Sequence, residues 1–186
     1  MSNPNQSFSV ICLVGFMGAG KSTVGAELAR RLGRQFCDLD DVIEAREKMS
    51  VEEIFRECGE GAFREMENAA LSSLGGSSQP MVLALGGGAF AQAANREALK
   101  RMNAGTVFLS APVSELWRRC TALDKDKKVR PLLADRERFN QLYQQRLPAY
   151  QEADLTIETL GKSVAQIAAE IESSLALAAP SPVSHS

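Results

Sequence analysis

Two short apolar runs organise the first half of the chain. Residues 8–14 (Phe-Ser-Val-Ile-Cys-Leu-Val) are nearly continuous in apolar character, and residues 81–85 (Met-Val-Leu-Ala-Leu) are wholly so. Short unbroken runs of this kind fit strands buried on both faces of a parallel sheet. A glycine-rich stretch follows the first run. In residues 21–32, Val24, Leu28 and Leu32, with the small Gly25 and Ala29, then recur at helical spacing, and Gly33 offers a stop. The alternation continues. Strands are expected at 35–38, 105–109 and 155–157 as well. Helices are expected across 41–47, 51–57, 60–74, 95–102, from Pro112 through Arg119, and across 136–145 and 164–175. Ser50 and Glu53 have the spacing of a capping box. Five strands alternating with helices predict an α/β fold, a three-layer α/β/α sandwich around a central parallel sheet.

Three segments break the pattern. Residues 121–135 hold a charged cluster at 125–128 and then Arg130-Pro131-Leu132-Leu133; a mobile lid fits them better than a core element. Residues 1–7 are polar and read as a flexible terminus. Residues 177–186 are rich in Ala, Pro and Ser and read as a disordered tail. With no repeat and no second boundary, 8–176 is expected to be a single domain.

Composition narrows the class. The 186 residues are 45% apolar and 24% charged, the balance of a soluble folded domain rather than a disordered or fibrous one. A net charge of −2 provides no field for nucleic acid or an anionic membrane, so any bound anion needs a local cluster. Four cysteines without a C-x-x-C pair read as reduced thiols, and a single histidine, His185, argues against a His/Cys metal centre. The N-terminus lacks a signal pattern, and no apolar run approaches the ~20 residues of a membrane helix. The expected location is the cytoplasm. Without heptads or an apolar interaction stripe, a monomer is expected.

The chemistry enters at Gly15-Phe-Met-Gly-Ala-Gly-Lys-Ser22, a complete G-x-x-x-x-G-K-[ST] match between a predicted strand and a predicted helix. Glycines let backbone N–H groups turn inward around phosphate oxygens, and the helix aims its positive end at the same anion. Lys21 would reach the β- and γ-phosphates, and Ser22 would offer its hydroxyl to Mg²⁺. The loop alone establishes nucleotide binding, since switch proteins and motors share it.

The other half of the site has to come from elsewhere. Asp38 and Asp40 stand two apart at a strand end, and in extended chain both carboxylates point the same way. One could hold the water shell of Mg²⁺ and the other orient an acceptor hydroxyl; an acidic helix start is the equal alternative. The strand before Gly86 carries no acidic residue, which turns the metal question to Asp38. Gly86, Gly87 and Gly88 would let backbone approach a small ligand. Arg64 and Arg146, taken singly, read as solvated surface residues. Arg130 in the lid is placed to stabilise a transferring charge.

Taken in order, these motifs resemble the shikimate kinases. The resemblance runs from about residue 8 to 175. It rests on residues 15–23, Asp38-Leu39-Asp40, Gly61-Ala62-Phe63-Arg64, Leu85-Gly86-Gly87-Gly88, Val129-Arg130-Pro131-Leu132-Leu133 and Arg146-Leu147-Pro148-Ala149-Tyr150. It implies a P-loop kinase fold and transfer of a phosphoryl group from ATP to the 3-hydroxyl of shikimate, on the chorismate route to aromatic amino acids. It implies that Gly18, Ala19, Gly20, Lys21, Ser22, Thr23, Arg119 and Arg130 meet the nucleotide, with Arg119 against the adenine. Shikimate would be held by Asp40, Arg64, Gly86, Gly87, Gly88 and Arg146, the two arginines gripping its carboxylate. Ser22 and Asp38 would serve one Mg²⁺, and Lys21, Asp40 and Arg130 would carry the catalysis. Residues 158–162 lack the proline that the family often carries in its adenine loop. The competing readings are a related gluconate or nucleoside kinase and, from a different class, a nucleotide-binding regulatory module.

Overall fold

The computed structural model describes residues 8–76, 79–123 and 135–178. Five strands, β1 (Val10–Val14), β2 (Gln35–Asp38), β3 (Met81–Ala84), β4 (Ala104–Ser110) and β5 (Leu155–Glu158), form one sheet in the order β2-β3-β1-β4-β5. Every pairing is parallel. The two apolar runs become the central strands β1 and β3, buried at every position. Edge strands β2 and β5 are partly exposed, and their sequences are correspondingly less apolar.

Eight helices flank the sheet among the described residues: α1 (Lys21–Leu32), α2 (Leu39–Glu47), α3 (Val51–Glu57), α4 (Gly59–Leu74), α5 (Ala93–Arg101), α6 (Val113–Leu123), α7 (Arg136–Tyr150) and α8 (Val164–Ala178). Helix α1 packs on α8 and β3; α4 packs on α2, α3 and α5, and α5 on β4. Ser50 caps α3 in the expected box, accepting the Glu53 N–H while Glu53 accepts the Ser50 N–H.

Register explains why distant segments meet. Leu13, Ala84 and Asp38 lie level across three neighbouring strands. Two residues further along each strand come Gly15, Gly86 and Asp40, all at the carboxyl edge, where ligands of such sheets bind.

Several boundaries shift; α6 runs on from the expected Arg119 to Leu123, into the first residues of the expected lid, and two other shifts bear on the site. Helix α2 begins at Leu39, not at 41. Asp38 therefore ends the strand and caps the helix, and Asp40 belongs to the first helical turn. The acidic helix start is thus what the structure shows, and the extended-chain reason for a common direction of the two carboxylates is replaced by capping. Helix α7 runs past 145 through Pro148 to Tyr150. Proline near the end of a helix removes one ladder bond and is tolerated there, and Gln151 N–H closes the end on Leu147 O at 3.0 Å. Arg146 is consequently carried on rigid helix. The predicted lid lies largely outside the described residues, as do both termini.

Candidate active site

The phosphate loop, residues 15–20, joins β1 to α1. Gly20 caps α1 without a side chain, so the first amides of the helix keep their donors for an anion at the positive end of the dipole. Gly18 is left-handed (φ 78°), and a Cβ there would stand 2.7 Å from Cys120 Sγ and 2.9 Å from Leu116 O. The loop thus lies directly on α6, and only glycine fits. Lys21 Nζ donates to Phe16 O at 3.0 Å, folding the side chain across the loop. Crowding by protein pushes its pKa down to about 8, against the pull of Asp40 and Asp38.

Ser22 Oγ donates to Asp38 Oδ2 at 2.6 Å, and Asp38 Oδ1 accepts the Asp40 N–H at 3.2 Å. One carboxylate therefore bridges the phosphate loop and the start of α2. Asp40 Oδ1 is buried without a hydrogen-bond partner. Burial, then Asp38, pushes the Asp40 carboxyl above its ordinary range, and Lys21 opposes. A Cβ on Gly86 would stand 2.8 Å from Asp40 Oδ1.

Arg64 on α4 faces the same space. Its Nη1 donates to Glu67 Oε1 at 3.0 Å and Oε2 at 3.2 Å, and its Nη2 donates to Glu60 Oε1 at 3.0 Å. Its Nε is buried and unpartnered. With Nη1 committed to Glu67, a ligand carboxylate would use the Nε/Nη2 edge, where Nε has no partner and Nη2 is shared with exposed Glu60. The guanidinium lies on Gly88, where a Cβ would come within 2.5 Å of Nη2. Arg146 sits over the Phe16 ring, 5.8 Å from its centroid. One turn later, Tyr150 donates its hydroxyl to Gly87 O. Burial lifts the Tyr150 pKa to about 12, which keeps that donor protonated.

Of the cavities bordered by these residues, one of about 740 Å³ opens outside Arg64, Gly88 and Arg146, and two others meet at the phosphate loop. One of these two, about 430 Å³, is lined by Asp38, Asp40, Arg64, Gly86, Gly87, Gly88 and Arg146. The other, of about 670 Å³, is lined by residues 18–24, by Arg118 and Arg119 of α6, and by Thr159 and Gly161. Gly18, Lys21 and Ser22 line both. Arg119 donates from Nε to Glu115 Oε1 at 2.8 Å, from Nη1 to Thr159 Oγ1 at 3.1 Å and from Nη2 to Thr159 O at 3.3 Å, tying α6 to the loop after β5. Every site residue expected from the sequence, except Arg130, lines one of the two cavities. Arg130 falls outside the described residues.

Sequence reasoning gave no role to Glu67, Tyr150 and Thr159. Glu67 is fully buried and anchors Arg64; its i,i+3 spacing from Arg64 was the available signal. Tyr150 is four residues after Arg146, one helical turn away. Thr159, buried beneath Arg119, had no local signal at all.

Comparison with known proteins shows the family. A family model described as Shikimate kinase matches residues 17–176. Curated relatives include the shikimate kinase of Geobacter sulfurreducens, 45% identical and covering 92% of each chain. That of Persephonella marina is 41% identical, covering 87% of this chain and 95% of the relative. Among solved structures, shikimate kinase from Acinetobacter baumannii in complex with shikimate superposes with a TM-score of 0.79 at 39% identity, covering 89% of this chain and 92% of that one. A gluconokinase from Sinorhizobium meliloti shares the fold (TM-score 0.57) at 18% identity. With this agreement over most of its length, the chain belongs to the shikimate kinase family.

Proposed function

We propose that this protein transfers the γ-phosphoryl group of ATP to the 3-hydroxyl of shikimate, yielding shikimate 3-phosphate and ADP in the cytoplasm. The observation that carries the reading is the pair of cavities meeting at Gly18, Lys21 and Ser22. A nucleotide in the larger one presents its terminal phosphate to a small acceptor in the other.

The roles follow from the geometry. The loop amides and Lys21 hold the β- and γ-phosphates. The Nε/Nη2 edge of Arg64, with Arg146, grips the acceptor carboxylate. Asp40, unpartnered at Oδ1 and raised in pKa, accepts a hydrogen bond from the attacking hydroxyl and takes its proton as the O–P bond forms. Phosphoryl transfer relies mostly on alignment and charge, so a strong base is not needed. Arg130, outside the described residues, is the further cation this reading assigns to the transferring charge. The Ser22 hydroxyl and the Asp38 carboxylate, already in contact, are the hard oxygen donors that would hold Mg²⁺. When bound, the ion would neutralise charge on the phosphate oxygens.

The test is ADP release measured with and without shikimate. Shikimate-dependent turnover supports the reading. Turnover indifferent to shikimate, or seen only with gluconate or a nucleoside, overturns it.

A further inference from the structure

Arg64 is held by Glu67 on the same helix, and Glu67 is itself held from a second one. Asn95 on α5 is 1% exposed. Its Nδ2 donates to Glu67 Oε2 at 3.1 Å and to Ala89 O at 3.0 Å. Its Oδ1 accepts from Asn68 Nδ2 at 2.9 Å. Both amide protons and the amide oxygen are therefore committed. Arg96, the next residue, donates from Nη1 to Phe90 O at 2.9 Å and to Ala91 O at 3.1 Å. Helix α5 thus fixes three successive carbonyls of the short 3-10 turn Ala89–Ala91 that follows Gly88.

These bonds join the two parts of the acceptor clamp. Glu67 sets the plane of the Arg64 guanidinium, and Ala89 continues the glycine turn on which that guanidinium rests. We infer that Asn95 is a positioning residue for the acceptor. It sets the spacing between the Arg64 guanidinium and the turn at residues 86–88, and through that spacing the grip on the acceptor carboxylate. The inference rests on the shikimate reading of this cavity.

The side-chain chemistry allows few substitutes. Ionised Asp has the same shape but no N–H, and it would set a second carboxylate beside Glu67. Apolar residues would leave Glu67 and Ala89 O each short of a donor in a buried place. Glu67 is sensitive to that loss. Burial raises its pKa, with a smaller push from Asp40 on α2, while Arg64 and the Asn95 bond lower it. Without Asn95 its pKa rises further. Glu67 then takes up a proton at higher pH, and Arg64 loses its anchor there.

The experiment compares wild type with Asn95→Asp and Asn95→Ser, with shikimate and ATP each varied against saturating partner. The expected result is a KM for shikimate raised about tenfold, with that for ATP within about twofold. The acid limb of kcat/KM for shikimate should move up by about half a pH unit. Parallel changes in both KM values, or a lower Tm with both KM values and the acid limb unmoved, would make Asn95 a core residue only and overturn the inference. Loss of folding in both variants has the same meaning. A wild type inactive on shikimate overturns the functional reading first, and this inference with it.

Discussion

The two halves of the site are built on opposite plans. The phosphate side is backbone: six consecutive residues between β1 and α1, with amide donors and one lysine. The acceptor side is side chain: Asp40 from α2, Arg64 from α4 and Arg146 from α7 converge on three glycines after β3. Backbone dipoles are preorganised by the turn itself. Side-chain charges must be held by other charges, and here they are: Arg64 by Glu67 and Glu60, Asp40 beside Asp38 and Lys21. The acceptor side is therefore the half more exposed to single substitutions and to pH.

The largest expected effect comes from the atom nearest the chemistry. Asp40→Asn should lower kcat by about a thousandfold while ATP affinity stays within about twofold. Steady-state kinetics with isothermal titration of ATP check both. Unchanged turnover would falsify the role given to Asp40. Next comes Arg64→Ala, which should reduce kcat/KM for shikimate about a hundredfold and leave the KM for ATP near wild type. Arg64→Lys should not rescue it, because an ammonium lacks the planar fork that meets Glu67 with one nitrogen and presents the other two side by side to a ligand carboxylate.

A pair of glycine substitutions tests the division directly. Gly18→Ala places a methyl against Cys120 and Leu116, and Gly88→Ala places one against Arg64. The first should raise the KM for ATP and the second that for shikimate, each by about tenfold. If Gly88→Ala disturbs ATP as much as shikimate, the two halves are not separable in the way described.

The same contrast explains what was legible in the sequence. A contiguous backbone motif is a linear string, so residues 15–22 and the flanking β1 and α1 could be read directly. The order of apolar runs gave the sheet, because strands buried on both faces leave an unbroken signature. Asp38 and Asp40 were readable as a pair, but extended chain was the wrong reason; Asp38 had the composition of a helix cap and acts as one. Asn95 and Thr159 were missed because each matters through a partner on another element, 28 residues away for the Asn95–Glu67 bond and 40 for Arg119–Thr159; Glu67 has its Arg64 partner on the same helix, and only burial sets it apart from a solvated i,i+3 pair. Hydrophobic periodicity carries no information about which buried polar groups meet.

The pH dependence should also divide between the halves. Lys21 must be protonated to meet phosphate, and its pKa sits near 8 without a bound anion. Since the charged form is lost as pH rises through that value, kcat/KM for ATP should fall above pH 8, approaching tenfold per unit. Bound phosphates favour the ammonium, so the limb in kcat should lie at higher pH. Asp40 works as its anion and is raised in pKa, so activity drops as pH falls through it; Glu67, also raised, adds to the acid limb of kcat/KM for shikimate through its hold on Arg64. Lys21→Arg should remove the alkaline limb; a limb that persists belongs to another group.

The smallest expected effect is the most discriminating for the acceptor side. Glu60 is 67% exposed at its side chain and occupies Arg64 Nη2, half of the edge left for a ligand. An exposed pair of this kind holds weakly in water. An incoming carboxylate has to displace it, so Glu60 competes with the acceptor, whereas buried Glu67 supports it. Glu60→Gln should therefore lower the KM for shikimate by about twofold with kcat unchanged, and the gain should shrink as salt is added. A higher KM would place Glu60 with Glu67 among the groups that orient Arg64. The acceptor clamp would then be braced from both sides rather than braced on one and gated on the other.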